Sequence, residues 1–228
     1  MEWMKERAFI LVSAGIVILC FGFAMLVGGK ARAADLGRPD LVDVAPVKSI
    51  ISGIYIGGAG GLTSASTEVS AGPFSIDGLG SQGLTAEMII GFDIRLTGSP
   101  IVLGAYGKYG IANTEFSVNP GIFSAKFTNQ YAVGGRLGYA FSTAMPYVFL
   151  GYRHTDVDWS IPSPLLPSAF SGYEMGGGIE MALAKNLSLY GEGRYTRYQS
   201  ETIAIGPGIN LEPTELAALV GLKLRFNP

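Results

Sequence analysis

The side chains able to do chemistry in this chain are dispersed rather than clustered. Six acids and seven bases stand out: Glu87, Asp93, Arg95, Lys108, Arg136, Arg153, Glu174, Glu180, Glu192, Arg194, Glu215, Lys223 and Arg225. No set of Cys, His, Asp and Glu has the spacing of metal ligands, so neither a metal nor another cofactor is expected. His154, in "RHTDVDW", is the only histidine. Thr155 and Asp156 are adjacent to it in sequence and are expected to point elsewhere. No Ser-His-acid triad is evident, and the chain reads as a non-enzyme. The glycine runs at 57–58, 60–61 and 176–178 precede no helix, so they cannot cradle a phosphate. A net charge of −2 with no basic cluster argues against a nucleic-acid partner. The charges are left with two roles: pairing with one another, or lining a constriction.

Which role applies depends on the elements that hold them. In the tail "TELAALVGLKLRFNP", Leu216, Ala218, Val220, Leu222, Leu224 and Phe226 alternate with Glu215, Ala217, Leu219, Gly221, Lys223 and Arg225. That is the period of a strand, whose successive side chains face opposite ways. The same alternation places Met88, Ile90, Phe92 and Ile94 opposite Glu87, Asp93 and Arg95. It also places Phe127, Tyr131, Val133, Leu137 and Tyr139 opposite Lys126, Gln130 and Arg136, and Tyr173, Met175, Ile179 and Met181 opposite Glu174 and Glu180. Eight strands are predicted, at about 51–65, 84–96, 100–113, 125–142, 145–156, 169–184, 187–199 and 213–226. Short turns ("TGSP", "STAM", "AKN") alternate with long connections, as in an up-and-down meander closed into a barrel.

Period two alone does not say which face points inward. A soluble barrel buries its apolar face, whereas a membrane barrel turns that face to lipid. Three features favour the membrane. The charged face carries small residues (Gly134, Gly138, Gly176, Gly178, Gly221), which suit a crowded eight-strand interior. Aromatic residues gather near strand ends as interfacial girdles: Tyr55, Phe92, Tyr109, Tyr139, Phe141, Tyr147, Tyr173, Tyr195 and Phe226. The third feature is an export signal. Residues 8–27 are uncharged and are followed by "GGKARAADL", the layout of a signal peptide cleaved after Ala33 or Ala34; a retained membrane anchor is the alternative. The only cysteine, Cys20, lies in that apolar run. Residues 34–50 read as a flexible periplasmic leader and 51–228 as the barrel.

The stretch "SGIYIGGAGG" (52–61) and the terminal "LVGLKLRF" resemble the first and last strands of the outer-membrane β-barrel proteins of alphaproteobacteria, typified by small surface antigens of Brucella and rhizobia. The resemblance covers about 51–226 and rests on the G-x-Y-x-G-G pattern after a Pro-containing leader. It departs from the family at Ile51 and Ser52, where an aromatic is usual, and at Asn227 and Pro228, which overhang Phe226. It implies that Phe226 is the assembly signal read by the barrel-insertion machinery.

The resulting expectation is an all-β, eight-stranded, antiparallel, up-and-down transmembrane β-barrel in a Gram-negative outer membrane. All thirteen charges would face the lumen as an ion-pair network that plugs it, since unpaired charges in so narrow a space would be very costly. The role expected is structural, with loops free to contact an extracellular or host partner and a wall in contact with lipid and lipopolysaccharide. A narrow channel for small solutes and a lipid-modifying enzyme are the alternatives.

Overall fold

The computed structural model describes residues 52–71, 74–118, 123–159, 166–203 and 209–226. The export signal, the leader, Asn227 and Pro228 lie outside the described residues. Among the described residues nine strands follow one another: β1 (Gly53–Ala71), β2 (Phe74–Arg95), β3 (Ile101–Val118), β4 (Phe123–Tyr139), β5 (Ala144–Trp159), β6 (Ala169–Ala182), β7 (Leu187–Tyr198), β8 (Glu201–Ile203) and β9 (Ile209–Phe226). Every pairing is antiparallel between sequence neighbours, except that β7 pairs with β9, and β9 closes on β1. The short β8 pairs only with the outer end of β9, so eight strands form the closed wall.

The tight turns lie at one rim. Between β2 and β3 the chain reverses through Gly98, whose φ of 72° is open to a residue without a Cβ. The Leu96 N–H donates to the Ile101 carbonyl at 2.9 Å across that turn. At the other rim, segments expected to be loops continue as ladder. β1 and β2 stay paired as far as Ala71↔Phe74, and β3 and β4 as far as Val118↔Phe123. Their Ser-, Gly- and Thr-rich sequences carry no apolar alternation, although backbone pairing needs none. The β2–β3 ladder stops at Thr85↔Ala112, so the first two hairpins part above that level.

The two faces sort as a membrane barrel requires. Outward side chains form an apolar band around the wall, with Leu62, Met88, Val133, Leu150 and Val220 among the most exposed. The inward side chains form two charged levels with aromatic and aliphatic side chains such as Tyr55, Ile89, Phe149 and Tyr190 between them, and an apolar layer lies toward the outer rim. A β-bulge between Phe127 and Gln130 corrects the parity expected for β4. The extra residue turns Phe127 into the lumen and leaves Lys126 outside. Tyr55 and Tyr147, expected in the girdles, are instead buried inside the barrel.

Candidate functional site

The lumen is filled by two linked ionic clusters. The one nearer the short turns is built on Asp93 (β2), Arg136 (β4), Glu180 (β6), Lys223 and Arg225 (β9). Asp93 accepts from both Arg136 and Arg225, the latter through Nη1 at 2.6 Å. Glu180 accepts from Arg225 at 2.6 Å, Lys223 at 3.2 Å and Arg136 at 3.3 Å. Aromatic rings fill the space beside these cations: Arg136 lies 4.5 Å from the Tyr55 ring centre, and Lys223 Nζ 4.0 Å from that of Tyr190.

Above it, four strands send Arg153 (β5), Arg194 (β7), Glu87 (β2) and Glu174 (β6) to a common centre. Arg194 Nη1 donates to Glu87 at 2.5 Å and Arg153 Nη2 to the same oxygen at 3.0 Å. Arg153 Nε donates to Glu174 at 2.7 Å, and Arg194 Nη2 to Glu215 at 2.9 Å. Neutral groups complete the set. Gln130 accepts from Arg153 at 2.7 Å and donates to Glu215 at 3.1 Å, while the Tyr106 hydroxyl donates to Glu174 at 2.7 Å. Lys108 donates to Glu192, which also accepts from the Tyr147 hydroxyl at 3.1 Å. Toward the outer rim an apolar layer of Ala65, Ala112, Phe127, Val157, Phe170 and Tyr198 covers this cluster.

Twelve of the thirteen charges expected in the lumen are buried there, six acids with six bases. Arg95 is the correction. It shares parity with Asp93 but sits where β2 ends, and its side chain is exposed at the rim. There its Nε donates to the Ser99 carbonyl at 3.0 Å instead of entering the lumen. Removing Arg95 makes the interior neutral by formal charge. Phe226 faces outward, exposed, beside Ile54 of β1. The polar partners Gln130, Tyr106 and Tyr147 were not singled out by charge, yet each has the inward parity of its strand and could be found by extending the alternation to neutral residues.

The outer wall holds one arrangement that the sequence reading missed. His154 is two residues from Asp156 on the same strand, so both project to the same face, contrary to the expectation that Asp156 points elsewhere. The His154 Nε2 lies 3.5 Å from Asp156 Oδ1, and its Nδ1 lies 2.9 Å from Ser171 Oγ on β6. Ser171 is directly opposite His154 in the β5–β6 ladder, a proximity fixed only by register.

Comparison with known proteins places this architecture in a family. Residues 21–226 match the sequence profile described as outer membrane protein beta-barrel domain. A 22 kDa outer membrane protein of Rhizobium leguminosarum bv. viciae is 28% identical over 166 residues, covering 72% of this chain and 73% of the relative. Among solved structures, Neisserial surface protein A is similar over 77% of this chain and 98% of its own, at 18% identity and a TM-score of 0.40. OprG from Pseudomonas aeruginosa is similar over 78% of this chain and 98% of its own, at 11% identity and a TM-score of 0.47.

Proposed function

Because the chain belongs to the outer membrane protein β-barrel domain family and resides in the outer membrane, we propose that it acts as a structural envelope protein with a closed lumen. The observation that carries this reading is the balanced set of twelve buried charges under an apolar cover. Each carboxylate in the set is bonded to at least one cation or its neutral relay, which leaves little reason for an ion to replace a partner. An eight-strand barrel is only wide enough for side chains, and these side chains fill it.

The wall is then a lipid- and lipopolysaccharide-facing scaffold, and the strand extensions beyond it hold loops for an extracellular or host partner. The export signal directs secretion, the leader stays in the periplasm, and Phe226 is the residue through which the insertion machinery takes up β9. Planar-bilayer recording of the refolded protein tests the closed lumen. A flat baseline is expected, and stable conductance steps would replace this reading with that of a narrow channel.

A further inference from the structure

On the outer wall, we propose that Ser171, His154 and Asp156 form a hydrolytic triad acting on carboxylic esters of acyl lipids in the outer leaflet. Three observations meet at this point. The first is contact: Ser171 Oγ lies 2.9 Å from His154 Nδ1, and His154 Nε2 lies 3.5 Å from Asp156 Oδ1, so that with the imidazole proton on Nε2 the serine hydroxyl donates to Nδ1. Nucleophile, base and orienting acid are thus in sequence, the acid contact being the longer one, as occurs before substrate closes a site.

The second is access. The side chains of His154 and Asp156 are 45% and 37% exposed, and they face away from the ionic lumen. The third is height. Tyr131 and Ser171 flank His154 on the neighbouring strands, and Tyr152 and Tyr173 pair directly beneath, with ring centres 5.7 Å apart. Exposed tyrosines in a barrel wall mark the headgroup level, where the ester linkages of membrane lipids lie, and Leu150 and Met175 below them face the acyl chains.

In the reaction, Ser171 Oγ adds to the ester carbonyl carbon as its proton passes to His154 Nδ1. The ester C–O bond breaks, and the alcohol departs with that proton. Water, deprotonated by His154, then cleaves the acyl-serine, releasing a fatty acid and restoring the hydroxyl.

The test uses the full chain refolded in detergent, each variant first checked for the gel shift of a folded barrel. A fluorophosphonate probe should label Ser171, and S171A and H154A should not be labelled. Vesicles of phosphatidylethanolamine and of lipopolysaccharide, assayed separately for free fatty acid by mass spectrometry, identify which ester source is used. Release from either should fall at least about 100-fold in S171A and H154A, and less in D156N. Folded wild-type protein that releases no fatty acid from either vesicle overturns the proposal, whether or not Ser171 is labelled. So does release that survives in S171A.

Discussion

Arg194 on β7 and Glu87 on β2 meet across the barrel at 2.5 Å, although 107 residues separate them in sequence. The same glutamate oxygen accepts from Arg153, and Arg194 reaches on to Glu215, so three contacts link four strands. Such a group is stable only when complete. Its members have left water, and each depends on its partners to offset that loss.

Arg194→Met should therefore destabilise the barrel by about 3–5 kcal/mol, because Glu87 and Glu215 would each lose a buried cation. Urea unfolding of the protein in lipid vesicles measures this. Adding Glu87→Gln to the same chain should recover part of the loss, since the remaining charges then come closer to balance.

The orientation of the wall predicts an asymmetric response to new charge. Val220 lies on the lipid face in the middle of the band, so Val220→Arg should cost about 2–4 kcal/mol in vesicles. Arg197→Glu, near the outer rim, should change stability by under about 1 kcal/mol. Equal costs at the two positions would contradict the assigned membrane level.

Glycines let large lumen side chains cross the wall closely. A Cβ on Gly151 would lie 2.6 Å from the Tyr106 hydroxyl and 2.7 Å from the Val133 carbonyl oxygen. Gly151→Ala should displace Tyr106 from Glu174 and cost about 1–3 kcal/mol. Gly191→Ala, whose nearest neighbour would be 4.0 Å away, should be close to neutral, and thermal unfolding of the pair makes the comparison.

Phe226 makes few interior contacts, so Phe226→Ala should leave the stability of the refolded barrel within about 1 kcal/mol. In cells the same variant should reach the outer membrane in reduced amount, measured by fractionation and immunoblotting. Normal accumulation would remove the assembly role from this residue.

The alternation of side chains was enough to specify strands and a closed meander, and the small residues on the charged face, the aromatic residues near strand ends and the export signal then turned the apolar face to lipid and the charges inward. The reason is local: a strand's period of two is written into its own residues, and charge in a narrow lumen must be neutralised wherever it lies. Arg95 escaped that reading because parity does not reveal where a strand ends and the rim begins. Phe127 and Lys126 escaped because a bulge of one extra residue reverses the parity on its far side. The extended hairpins beyond the membrane lack apolar alternation, so backbone pairing holds them without a sequence signature. Which cation meets which carboxylate, and that Ser171 sits against His154, were decided only by register and closure, which align strands far apart in the chain.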